Sequence, residues 1–261
     1  MDYKHIVLKI GSVACLTLNR PNCRNAMDDN TLKEVADAFE HIGRCPEVRA
    51  VVIRGEGEDF CAGADIGWMR RAGKLKGARG REDAGLLARM CKAVDESPVP
   101  VIARVQGAVY GGGVGLVSAC DIVVAAQKAR MCFSECRLGI LPAVVSCFVI
   151  PKIGLAAARR YYLTAEVFGV QEARDMGLVH VAAPEGELDA RVDELASHIL
   201  RNGPKALREA KALLRKLPNK SLEQRVKLTI DTLLRVRSSP EGQEGLSAFL
   251  EKRPPSWVIP K

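Results

Sequence analysis

Up to about Gly154 the chain alternates short β-branched apolar runs with longer stretches of helical period, and after it only helical periodicity is legible. Ile6 to Ile10 and Val13 to Leu18 flank Gly11-Ser12 and read as a hairpin. Asp29 to Ile42 carries Leu32, Val35, Ala36, Phe39 and Ile42 along one helical face. Ala50 to Ile53 is a short buried strand ending at Gly55, and a helix is expected over Glu82 to Glu96. Pro98 and Pro100 bracket the start of a strand over Val101 to Val105, and Ile122 to Ala126 is another. Strands separated by helices need crossover connections, so the pattern implies an α/β core. The polar stretch from Arg70 to Arg81, with three glycines and six basic residues, is expected to be a mobile loop.

Beyond Gly154, helices are expected over Ala156 to Ala165, Gln171 to Met176, Leu188 to Leu200, Pro204 to Leu214, Leu222 to Val236 and Gln243 to Lys252. Their amphipathic faces either pack on one another or are offered to neighbouring subunits. A chain of 261 residues with 48% hydrophobic and 27% charged residues has material for a sizeable core, which argues against disorder and fibrous repeats.

Nine cysteines, odd in number, scattered and without a C-x-x-C pair, fit reduced thiols in a cytoplasmic protein better than a disulfide framework. The opening Met1-Asp2-Tyr3-Lys4-His5 is unlike a signal or transit peptide, and the near-apolar run from Leu138 to Pro151 is too short to span a bilayer. The net charge of +8 predicts an anionic partner without choosing among nucleic acid, an acidic membrane and a phosphorylated small molecule.

Three segments hold candidate chemistry. Asp59 to Ile66 follows a strand and is rich in small residues, so a ligand can approach its backbone; it also fits an ordinary strand-to-helix turn capped by Asp65. Gly107 to Gly115 lacks the P-loop lysine and the dinucleotide spacing. Its Gly111-Gly112-Gly113 opens an apolar helix whose N–H groups suit an anion or oxyanion, or close packing on the sheet. Glu135, in an otherwise apolar neighbourhood, suits proton transfer near neutrality or a surface ion pair with Arg137 or a lysine. The four histidines have no metal-ligand spacing, and no G-x-S-x-G elbow occurs, so neither a metal site nor Ser–His–Asp catalysis is expected.

In order along the chain, Leu18-Asn19-Arg20-Pro21, Asn25-Ala26, Phe60 to Ile66, Gln106 to Gly113, Ala119 to Ile122, Glu135 with Leu138 to Pro142, Gly177-Leu178-Val179 and Phe249 to Arg253 resemble the enoyl-CoA hydratase/isomerase, or crotonase, family. The resemblance implies a spiral of repeated ββα units over residues 1–195 that binds acyl-CoA. It also implies a helical assembly region over 196–261, giving a homotrimer or a dimer of trimers. It places the backbone N–H groups of Ala64 and Gly112 around a thioester enolate, with Glu135 as acid and base. Arg24, Ala26, Ala62, Asp65 and Ile66 fall where relatives cradle CoA, Gly111 and Leu141 also fall at the substrate, and Phe249 and Lys252 fall where relatives reach the CoA of a neighbouring subunit. CoA is the substrate's handle, so no separate cofactor is implied, and it offers the positive charge an anion.

Hydratases of the family hold a water between two carboxylates. The second matches Glu135, but the first falls on Gly115. A single Glu suits the family's double-bond isomerases, and a hydratase needs a substitute; Cys136 and Tyr110 are its neighbours in the motifs. Gly113 to Leu116 together with Arg137 to Ser146 is similar to bacterial members grouped with methylglutaconyl-CoA hydratases, and the bulk of Ala143-Val144-Val145 points to a short, branched or carboxylated acyl group. An alternative from another class is a nucleic-acid-binding protein on the same scaffold, using clusters such as Lys74, Lys76, Arg79 and Arg81; with 5% aromatic residues the chain shows no stacking platform, so nucleic acid is the weaker expectation.

Overall fold

The computed structural model describes residues 2–258; Met1 and the last three residues of the expected 196–261 region lie outside the described residues. Its main sheet has six strands: β1 (Ile6–Lys9), β2 (Val13–Leu18), β3 (Ala50–Gly55), β4 (Val101–Val105), β6 (Ile122–Ala126) and β9 (Val181–Ala183), side by side in that order. The β1–β2 hairpin is antiparallel, with Ile6 opposite Leu18, and every other neighbour is parallel.

Period-two alternation assigns the central strands to two cores. On one face Val51, Ile53, Val101, Ala103, Val105, Val123 and Ala125 meet α1 (Asp29–Ile42), α3 (Gly77–Asp95) and α4 (Gly112–Ala119). On the other, Ala50, Val52, Ile102 and Val124 meet Leu188, Val192, Ala196 and Ile199 of α7 (Leu188–Arg201). The boundary expected at 195/196 therefore falls inside a helix that covers the sheet.

A second sheet, small but placed at the candidate site, orders β5 (Ala108–Tyr110), β7 (Arg130–Cys132) and β8 (Phe168–Gly169), with β5 and β7 parallel. These strands and β9 are too short for alternation to show in the sequence, so the tail after Gly154 is not purely helical. The Arg70–Arg81 stretch is not a mobile loop either: α2 (Ile66–Ala72) covers its start, and α3 begins at Gly77. The Asp65 carboxylate caps α2 by accepting from Trp68 N at 3.0 Å, and Trp68 Nε1 donates to Asp83 Oδ1 of α3 at 3.0 Å.

The remaining helices are α5 (Ser146–Thr164), α6 (Val170–Asp175), α8 (Pro204–Lys216), α9 (Leu222–Arg237) and α10 (Pro240–Leu250). A part-buried ion pair, Lys211 Nζ to Asp121 Oδ2 at 2.6 Å, ties α8 to the turn between α4 and β6. No helix among the described residues is long and apolar enough to cross a membrane, and all nine cysteines are unpaired.

Candidate active site

Three loops leave the same end of the sheet and are sewn together by main-chain bonds. Tyr110 N donates to the Cys61 carbonyl at 2.9 Å, and Cys61 N to the Ala108 carbonyl at 3.0 Å. Met27 N donates to Gly63 O, and Asp65 N to Met27 O, both at 2.8 Å. Ala62 N reaches Arg24 O at 2.9 Å. Side chains lock the same loops: Asn25, buried on a positive-φ backbone, donates from Nδ2 to the carbonyls of Glu56 and Asp59. Asp59 accepts from Ala108 N at 2.7 Å and from Arg24 Nε at 2.6 Å.

This sewing leaves Ala64 and Gly112 half-buried, each beside Met27. Ala64 is bridged to Met27, and a Cβ on Gly112 would lie 3.1 Å from Met27 Cε. Among the described residues neither the Ala64 N–H nor the Gly112 N–H has a hydrogen-bond partner. Gly112 is the first residue of α4, where helical geometry provides no acceptor and the macrodipole adds partial positive charge.

Glu135 opens the short turn Glu135–Leu138, and its carboxyl lies over the glycine run: a Cβ on Gly111 would sit 3.3 Å from Oε1. Gly111 also takes φ 49°, a left-handed conformation that other residues resist. Burial pushes the Glu135 carboxyl above its ordinary value, and Oε2 is buried without a hydrogen-bond partner. The expected alternative, an ion pair with Arg137, does not form. Leu138, Ile140 and Leu141 beyond it are exposed, forming an apolar lip.

The position of the missing first carboxylate is filled. A Cβ on Gly115 would meet Val145 Cγ1 at 2.3 Å, so the buried Val145 side chain occupies the space a longer residue would need. Ser146 follows, and its Oγ lies 3.2 Å from Tyr162 Oη. Neither Val145's partnership with Gly115 nor Tyr162 was signalled by spacing, because each contact crosses between separate elements.

Of the expected CoA contacts, Arg24 and Ile66 are exposed and Ala26 and Ala62 half-buried beside these loops. Asp65 is engaged as a helix cap, as the turn reading anticipated, and also with Arg20 Nη2 at 3.1 Å. Phe249 and Lys252 are exposed at the end of α10, which packs on α8 and α9. His180, depressed by burial, accepts from Val123 N at 3.0 Å, a structural role; among the described residues no acidic, histidine or cysteine group could hold a metal.

A family model described as enoyl-CoA hydratase/isomerase matches residues 9–259. The chain is 32% identical to the crotonyl-CoA hydratase of Syntrophomonas wolfei subsp. wolfei over 99% of each chain. It is 32% identical to the mitochondrial methylglutaconyl-CoA hydratase of Mus musculus, over 97% of this chain and 82% of that one. The crystal structure of an enoyl-CoA hydratase from Shewanella pealeana superposes with a TM-score of 0.93 at 36% identity, covering 98% of this chain and 96% of that one. With the glycine run, the paired loops and the half-buried glutamate at the same end of an α/β sheet, the chain is an enzyme that belongs to the enoyl-CoA hydratase/isomerase family.

Proposed function

We propose that the protein adds water to, or removes it from, a short or branched enoyl-CoA. The observation that carries this reading is the Glu135 carboxyl, whose buried Oε2 is unpartnered among the described residues, over a glycine run whose Gly112 N–H, like that of Ala64, has no partner among them. The thioester oxygen sits between those two amides. Water attacks C3 as Glu135 takes its proton, the C2–C3 π pair moves toward the thioester as an enolate, and Glu135 returns the proton to C2. Each fixed donor aimed at the developing oxyanion contributes about 10²–10³ in rate. Glu135 can both accept and return the proton because burial brings its affinity for protons toward neutrality.

The second reading, a double-bond isomerase, draws on Val145 filling the Gly115 side: one carboxylate suffices to move a proton between two carbons. Turnover in H₂¹⁸O with product mass analysis decides between them. Hydration places ¹⁸O in the product; isomerisation places none. For either, Glu135→Gln is expected to lower kcat by about 10²-fold or more while acyl-CoA still binds, measured by stopped-flow turnover and calorimetry. Unchanged turnover removes Glu135 from the mechanism.

The acyl group we infer is short, branched or carboxylated, since Val145 narrows the space beside Gly115 and a relative is named for methylglutaconyl-CoA. Methylglutaconyl-CoA is expected to exceed a long straight-chain enoyl-CoA in kcat/KM; the reverse order sinks this specificity. Arg24, Ala26, Ala62 and Ile66 would hold CoA, with Phe249 and Lys252 supplied across a homotrimer or dimer of trimers.

A further inference from the structure

The two hydroxyls of Ser146 and Tyr162 are brought together by a break in one helix. They are sixteen residues apart on α5, a separation of roughly 24 Å along a straight α-helix, yet their oxygens are 3.2 Å apart. Gly154, at φ 72°, is the non-helical point inside α5 that lets its two arms fold back on each other.

Ser146 Oγ donates to Tyr162 Oη and also contacts the Pro142 carbonyl. The Tyr162 oxygen uses one lone pair on Ser146 and keeps a second to accept from another group.

That oxygen belongs to the same neighbourhood as Glu135. The Tyr162 ring packs 4.7 Å from Phe133, which leads through Ser134 into Glu135. Val145, against Gly115, leads directly into Ser146. The phenol is also raised, by burial first and by the Glu135 charge, which keeps it a neutral hydroxyl. The segment that blocks a carboxylate at Gly115 is thus the segment that delivers the hydroxyl pair.

We propose that Tyr162, braced by Ser146, is the positioning residue for the reacting water: its oxygen accepts the water O–H that Glu135 does not take, in the role a second carboxylate would fill. The inference rests on the hydration reading. The water oxygen bonds to C3, one water proton passes through Glu135 to C2, and Tyr162 begins and ends the step as a neutral phenol.

Tyr162→Phe keeps the ring against Phe133 and removes only the hydroxyl. Two rates are measured: hydration of crotonyl-CoA, and solvent-deuterium exchange at C2 of butyryl-CoA, which needs the glutamate and the two amides but no added water. The expected result is a fall in hydration kcat of about tenfold or more, the loss of one hydrogen bond at the transition state, with C2 exchange and KM within about twofold of wild type. Ser146→Ala is expected to show the same selective loss in smaller degree, and serves if Tyr162→Phe does not fold. Hydration unchanged in both variants, or hydration and exchange falling together, overturns the proposal. A wild-type protein that exchanges C2 protons but hydrates no enoyl-CoA overturns the hydration reading itself, a result distinct from an active hydratase indifferent to Tyr162.

Discussion

At the scale of single residues, Glu135 couples function to stability. Its carboxyl is held above the ordinary range by burial, so the folded protein binds that proton more tightly than the unfolded chain. The stabilisation this gives is complete below the unfolded pKa and is lost as pH rises through the folded one. Glu135→Gln, which cannot ionise, is therefore expected to match wild type near pH 4 and to be the more stable protein at pH 7–8. Chemical denaturation across that range checks it; a variant equally or less stable at neutral pH would show that the folded protein does not resist ionisation of this group. Glu135 was legible as a candidate because an acidic residue in an apolar neighbourhood is costly without a purpose. Ala64 and Gly112 were not legible from their side chains, since their contribution is a backbone N–H, and only the resemblance singled them out.

At the scale of elements, α4 and the segment leading into α5 are interlocked. A Cβ on Gly115 would overlap Val145 Cγ1 at 2.3 Å, so Gly115→Glu, which supplies the carboxylate seen in two-carboxylate hydratases, is expected to destabilise by about 1–3 kcal/mol instead of raising activity. Pairing it with Val145→Gly should recover part of that loss in urea denaturation. A stable Gly115→Glu variant would mean the two elements can separate. The long amphipathic helices and apolar strands were readable because period and length coincide. The Arg70–Arg81 stretch misled because charge and glycine content signal a loop, whereas the Asp65 cap and the Trp68–Asp83 bond stabilise helices there. Strands β5, β7, β8 and β9 have three residues or fewer, too few for a pattern.

At the scale of the whole molecule, α9 buries none of its residues, and Leu222, Val226, Ile230 and Leu233 recur along one exposed stripe. With exposed Leu246, Phe249 and Leu250 on α10, this is apolar surface fit for self-association. Replacing Ile230 and Leu233 together by Lys is expected to shift the sedimentation coefficient to that of a smaller species. An unchanged coefficient would mean that α9 does not mediate self-association. Ion pairs such as Arg24 with Asp59 and Arg215 with Asp95 and Glu96 cancel base against acid and leave the net +8 to other basic side chains. By itself the sequence determined the α/β class, the hairpin, most helices and the glutamate in its apolar setting. These depend on local period, length and composition, which neighbouring residues carry. Only the tertiary structure decided that Val145 occupies the place beside Gly115, that α5 folds back at Gly154 to join Ser146 to Tyr162, and that the Ala64 and Gly112 amides are left unpartnered. Each depends on which distant segments share a few ångströms of space, and no local pattern records that.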